Sequence, residues 1–400
     1  VEKMAKRWRK RAGRLAALVI AAGIYTFCIP AAAAEEATGG MANAVTLDIP
    51  ARSCILVSGD TVLYEENADE PMPPASITKI MTLLLTFEAL EAGQISLDQT
   101  VSCSDYAASM GGTQIWLEPG EEMALSDIIK ATAVNSANDC AMVLAETVAG
   151  SEEAFVQKMN ERAAELGMEN THFENPTGLD ADGHLSTARD IAIMSVELLK
   201  HDGVTDYTTI WMDSLRNGET GLTNTNKLVR YYDGCTGLKT GTTDGAGSCL
   251  SASATRDGLD LVAVSMGSDT SAERFEACRT LLDYGFATYE SFTPAVPPEQ
   301  LTPVPVSGGR AESVAPAAAD TEPLIIPKGR GEAVELAVTL PEGLTAPVAA
   351  GEEIGEAVFT LDGETVCTLP LTAAEEVGEM DFAFALGRLW ELFTRPPAFG

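Results

Sequence analysis

The chain has 400 residues, of which 46% are hydrophobic but only 6% aromatic, and its formal net charge is −33. That length supports a sizeable core and more than one domain. So acidic a surface repels phosphate backbones and anionic lipid headgroups, which argues against nucleic acid as a partner and requires a locally positive pocket for any anionic substrate.

The first 34 residues have the opposite charge. Seven basic residues (Lys3, Lys6, Arg7, Arg9, Lys10, Arg11 and Arg14) stand against Glu2, and they lead into the apolar run Leu15–Ile24 and the small residues Ala31–Ala34. A basic, an apolar and a small-residue region in this order form a secretory signal, so residues 1–34 are expected to be removed and the protein exported. The alternative is an uncleaved anchor, against which stand the short apolar run and the missing stop-transfer charges; export follows from either. Without this segment the remainder carries about −39. Cys28 falls within it. The other seven cysteines (Cys54, Cys103, Cys140, Cys235, Cys249, Cys278 and Cys367) are dispersed with no C-x-x-C. No metal site is expected, at least one thiol stays unpaired, and most should be small buried apolar groups.

From about residue 45 to 290, apolar helical stretches alternate with short strand-like runs, and residues 35–290 are expected to form a catalytic domain. Its first motif, Pro74-Ala-Ser76-Ile-Thr-Lys79, heads the apolar stretch Ile80–Leu90. A helix that is hydrophobic on nearly every side belongs in the centre of the domain, with Ser76 near its positive end and Lys79 one turn on, facing it. A lysine there is costly unless its pKa is lowered for use as a base. A single such serine is more often a helix cap, and one Ser-x-x-Lys is expected by chance in about every chain of this length.

Farther along, Trp116 in Thr113-Gln-Ile-Trp-Leu117 either lines a groove or, more commonly for an aromatic residue, packs inside. The second motif, Ser136-Ala-Asn138, lies between the helical patterns Leu125–Ala133 and Asp139–Val148. Neither His172, His184 nor His201 sits at a strand-to-helix elbow or near a G-x-S-x-G, so all three are expected to be surface or structural residues. Glu174 lacks a Glu-x-x-x-Asn spacing and reads as a surface carboxylate rather than a second base. The third motif, Lys239-Thr-Gly241, falls on a predicted strand. Separately the second and third motifs have bland readings, a capped inter-helix loop and an edge strand entering a turn. In this order the three form the set shared by serine β-lactamases and penicillin-binding proteins.

Near Phe292 the texture changes. Residues 293–327 are rich in Pro, Ala and Val, and short alternating runs such as Val334–Val338 and Glu356–Leu361 follow, separated by Pro-Glu-Gly and Asp-Gly turns. Residues 291–372 are therefore expected to form a small all-β domain. In residues 373–400, the stretch Ala373–Thr394 places Phe382, Leu386, Leu389, Trp390 and Phe393 at helical spacing. That amphipathic helix is read as an interfacial anchor at the cytoplasmic membrane, with packing on the β domain as the alternative; its net negative charge argues against strong attraction to anionic lipid.

Over nearly its whole length the chain resembles the low-molecular-mass penicillin-binding proteins, the serine D-alanyl-D-alanine carboxypeptidases of peptidase family S11. Besides the three motifs, Asn175-Pro-Thr-Gly-Leu-Asp180, Ser186-Thr-Ala-Arg-Asp190 and Lys239-Thr-Gly-Thr-Thr243 followed by Gly245-Ala-Gly are similar to that family's segments. The resemblance implies an α/β (α+β) catalytic domain whose antiparallel sheet carries Lys239-Thr-Gly241, followed by the small β domain. It also implies peptidoglycan stem peptides as substrates, β-lactam antibiotics as inhibitors and no cofactor.

The roles it implies are that Ser76 attacks the penultimate D-Ala carbonyl while a neutral Lys79 takes its proton. Ser136 passes a proton to the leaving nitrogen, and Asn138 hydrogen-bonds the substrate amide. Lys239, Thr240, Gly241 and Thr242 receive the terminal carboxylate, with the backbone N–H groups of Ser76 and Thr242 as oxyanion hole. Arg274 either binds the same carboxylate or forms a structural salt bridge. A DD-endopeptidase would use the same groups, a β-lactamase should add a deacylating Glu, and a non-catalytic binding protein would not need every motif residue intact. The acidic tail departs from the family's usual basic anchor.

Overall fold

The computed structural model describes residues 45–319 and 321–394. The expected signal peptide and Cys28 lie outside them. The main sheet is antiparallel and five-stranded, built from β1 (Ser53–Ser58), β2 (Thr61–Glu66), β3 (Cys235–Thr243), β4 (Gly247–Arg256) and β5 (Leu259–Ser268) in the order β2-β1-β5-β4-β3. Every residue of β1 is buried because both faces of the sheet are covered. Side chains alternate between those faces, so Ile55 and Val57 join one core with Val262 and Val264, while Cys54 and Leu56 join a second core with Leu261 and Ala263.

The first core is closed by helices. α1 (Lys79–Glu91), α2 (Leu125–Val134), α3 (Asn138–Ala149) and α4 (Ala188–Leu199) contribute Leu83, Leu84, Ile128, Val143 and Ile191 to it. α1 is buried along most of its length, as its unbroken apolar sequence requires. The second core lies under α5 (Ser271–Thr288), whose Phe275, Cys278, Leu281 and Leu282 face the sheet. Thr270 and Glu273 start α5 with a reciprocal capping box.

β6 (Tyr289–Phe292) pairs with Leu324–Pro327 and leads into the C-terminal all-β part. There the antiparallel strands Pro316–Ala318, Glu364–Ala373, Glu353–Leu361 and Glu335–Thr339 lie in that order, over a core of Ala357, Phe359, Leu369 and Leu371. The mixed fold with an antiparallel sheet and an all-β C-terminal part is therefore as expected. The last helix is shorter than its pattern predicts. The final strand runs through Ala373, Val377 is buried, and α6 spans only Phe382–Thr394. Its Phe382, Leu386, Leu389 and Phe393 are exposed rather than packed on the β strands. No helix among the described residues is long and apolar enough to cross a membrane. The seven cysteines are all free, and five of them are buried.

Candidate active site

The first two functional groups come from one tight turn. Ala75–Thr78 is a single 3₁₀ turn that runs directly into α1, so Ser76 and Lys79 stand one turn apart on the same side. Lys79 Nζ lies 3.0 Å from Ser76 Oγ, and its other bond goes to the Thr177 carbonyl at 2.6 Å. Lys79 is fully buried. Burial, and after it the charge of Lys239, hold its pKa well below the usual lysine range, while Asp139 pulls weakly the other way. A lysine amine of lowered pKa beside a serine hydroxyl has the geometry to accept its proton.

The Thr177 carbonyl is aimed by Asn175, whose Oδ1 accepts from Thr177 N, Thr177 Oγ1 and Gly178 N. Such an Asx turn needs no partner from elsewhere. Gly178 has φ +80°, and a Cβ placed on it would lie 1.8 Å from the Ala75 carbonyl oxygen. Only glycine allows this loop to touch the turn that carries Ser76.

Ser136 and Asn138 occupy the break between α2 and α3. Ser136 has φ +63° and is buried. Asn138 opens α3, donating its backbone N–H to the Thr113 carbonyl and its Nδ2 to the Gly111 carbonyl, both at 2.7 Å. The next residue, Asp139, is also buried, and its carboxylate accepts from the backbone N–H groups of Ile115, Leu117 and Cys140.

The third wall is β3, an edge strand of the sheet. Gly241 lets it pass the nucleophile turn, since a Cβ there would come within 2.9 Å of the Pro74 carbonyl oxygen. Lys239 is buried, and burial, with the charge of Arg274 second, pushes its pKa down to about 7. Thr240 donates its hydroxyl to Thr225 at 2.8 Å. Arg274 reaches from α5 to donate to the Gly241 carbonyl at 2.9 Å and to Thr242 Oγ1 at 2.7 Å. Among the described residues it forms no salt bridge; its guanidinium braces the end of β3.

Among the described residues five buried side-chain polar atoms have no partner, and four of them belong to this constellation: Ser136 Oγ, Asn138 Oδ1, Lys239 Nζ and Arg274 Nε. Buried polar groups are otherwise nearly always bonded, so their convergence marks a place built for a polar ligand. Lys239 and Arg274 also supply the locally positive pocket that the acidic chain requires.

Several contributors are not apparent in the sequence. His184 lies within the core, its Nε2 2.8 Å from Thr78 Oγ1 and its Nδ1 accepting from Glu174 N, and burial pushes its pKa down to about 4. It is a neutral strut under the Ser76–Lys79 turn, in keeping with a structural histidine. His172 is exposed beside Glu174, and His201 pairs with Glu91. The Ser186–Asp190 segment is structural as well, since Thr187 caps α4 and Arg189 pairs with Glu65 and Asp69. Trp116 corrects the expectation of interior packing, because 75% of it is exposed.

Residues 39–270 match the D-alanyl-D-alanine carboxypeptidase family, Peptidase S11, and residues 289–379 match the C-terminal domain of penicillin-binding protein 5. The D-alanyl-D-alanine carboxypeptidase DacF of Bacillus subtilis is 47% identical over 246 residues, which are 60% of this chain and 63% of the Bacillus protein. The crystal structure of penicillin-binding protein 5 from Haemophilus influenzae superposes with a TM-score of 0.72 at 29% identity, covering 84% of this chain and all of that one. Penicillin-binding protein D2 from Listeria monocytogenes, solved in its ampicillin-bound form, superposes with a TM-score of 0.53 at 31% identity, covering 60% of this chain and all of that one.

Proposed function

The chain belongs to the D-alanyl-D-alanine carboxypeptidase family, and from that premise we propose that it releases the terminal D-alanine of peptidoglycan stem pentapeptides through an acyl-enzyme on Ser76. The observation that carries this reading is the 3.0 Å approach of a fully buried, pKa-lowered Lys79 to the Ser76 hydroxyl.

Lys79 Nζ, held by the Thr177 carbonyl, accepts the Ser76 proton as Oγ attacks the penultimate D-Ala carbonyl. The oxyanion is stabilised by the backbone N–H groups of Ser76 and Thr242. Ser136 Oγ delivers a proton to the departing D-Ala nitrogen and regains one from the Lys79 ammonium, and water then hydrolyses the ester with the neutral Lys79 again as base. The terminal carboxylate is received by protonated Lys239 with Thr240, Gly241 and Thr242. Arg274 holds Thr242 in place and adds positive charge beside that carboxylate. Asn138 orients the substrate's amide. The partnerless Lys239 Nζ, Arg274 Nε, Asn138 Oδ1 and Ser136 Oγ support this, because a carboxylate and an amide would satisfy them.

β-Lactams present the same reactive carbonyl to Ser76 and are inhibitors on this reading, which the ampicillin-bound relative supports. On this reading the catalytic domain would span residues 35–290 and the β domain 291–372. Residues 1–34 are an export signal. The exposed apolar face of α6 supports a peripheral seat on the outer face of the cytoplasmic membrane. The test is product analysis with a defined pentapeptide and a cross-linked dimer. Free D-alanine from the pentapeptide is expected; cleavage of the dimer alone would make the protein an endopeptidase.

A further inference from the structure

Backbone strain is concentrated around the cleft. Eight non-glycine residues among those described have a left-handed φ, and four of them are Asn or Asp (Asn67, Asn217, Asp257 and Asp362), which tolerate it. The other four are Ala75, Trp116, Ser136 and Arg216. Ala75 and Ser136 sit beside the reacting groups. The remaining two hold each other: Arg216 donates to the carbonyls of Ile115 at 2.9 Å and Trp116 at 3.3 Å while its guanidinium is fixed by Glu121.

From the other side, the buried Asp139 carboxylate takes the N–H groups of Ile115 and Leu117, leaving both neighbours of Trp116 pinned and buried. A bulky residue in this conformation is an outlier that persists only where its surroundings impose it. Here the two clamps keep an indole in solvent at φ +61°. Packing does not explain that arrangement.

The clamp also places the loop. Asp139 follows Asn138 directly, and Gly111 and Thr113 of the same loop bond the Asn138 side chain and backbone. On the acyl-transfer reading the substrate's carboxylate end would lie at β3 and its other end would run past Asn138, which this loop holds. We propose that Trp116 is a substrate-contacting specificity residue, a wall for the aliphatic carbon chain of the stem peptide upstream of the scissile bond. The inference rests on the acyl-transfer reading above.

Trp116→Gly tests it, because glycine relieves the strain and removes the indole together. Burial of one or two methylene groups against the indole corresponds to about a five- to tenfold change in affinity. KM for a stem pentapeptide is therefore expected to rise about five- to tenfold, with kcat within about twofold, while Tm is unchanged or higher. Trp116→Phe should fall between parent and glycine variant. An unchanged KM in a stable glycine variant overturns the proposal, and so does a Tm lowered by several degrees, which would make Trp116 a packing residue. A parent protein that forms no penicillin adduct would instead contradict the underlying acyl-transfer reading.

Discussion

Gly178→Ala is the most local perturbation of the proposed chemistry that removes none of the reacting side chains. The new Cβ would lie 1.8 Å from the Ala75 carbonyl oxygen and 2.9 Å from Ser76 N. Both are main-chain atoms, so no side chain can rotate away, and the contact must open by more than about 1 Å before it is tolerable. Ala75 already has φ +51°, and Thr177, the partner of Lys79, is the residue before the substitution. The displacement therefore falls on the nucleophile and on the carbonyl that holds its base. A misplacement of about 1 Å in a reacting pair costs about a hundredfold in rate, and strain of this kind about 2–4 kcal/mol in stability. Stopped-flow acylation by a chromogenic β-lactam should slow about a hundredfold, and Tm should fall. An alanine variant acylated within about threefold of the parent rate would refute the claim that this loop positions Ser76 and Lys79.

Two further outcomes follow from the charges and from α6. Lys239 loses its proton as pH rises through about 7 in the free enzyme, so kcat/KM for a peptide with a free terminal carboxylate should decline above that pH. At lower pH it should decline as Lys79 becomes protonated. The C-terminal amide of the same peptide should lose about 2–4 kcal/mol of transition-state binding and lack the alkaline decline; equal values and equal pH profiles would remove Lys239 from carboxylate recognition. Truncation after Asp381, which keeps the buried Val377 and removes α6, should release active protein from membrane fractions. If the longer chain is already free of the membrane, α6 is not an anchor.

The three motifs are legible in sequence because their chemistry requires particular side chains at short fixed spacings. Ser76 and Lys79 must share one turn, and Ser136 and Asn138 one break between helices. What escapes is contributed by backbone atoms or by residues brought together over long separations. Thr177 acts through its carbonyl, so its side chain gives no clue, and Thr225 meets Thr240 through its hydroxyl only because the fold apposes them. The exposure of Trp116 is set by Arg216, 100 residues away in sequence. The start of α6 was readable: Asp381 Oδ1 accepts from Phe384 N, an N-cap that apolar periodicity alone overlooks. Alternation in the β strands was legible for the opposite reason, since one buried face leaves its period in the sequence.

The central claim is that Ser76, activated by a neutral Lys79, forms the acyl-enzyme. Intact-mass measurement after incubation with benzylpenicillin tests it most directly. A single adduct that persists for many minutes and is absent in Ser76→Ala is the predicted result, because the tethered leaving nitrogen obstructs water while Glu174, bonded to His172 and exposed, is not placed as a second base. Rapid multiple turnover of the antibiotic, or an adduct that survives in Ser76→Ala, would contradict it.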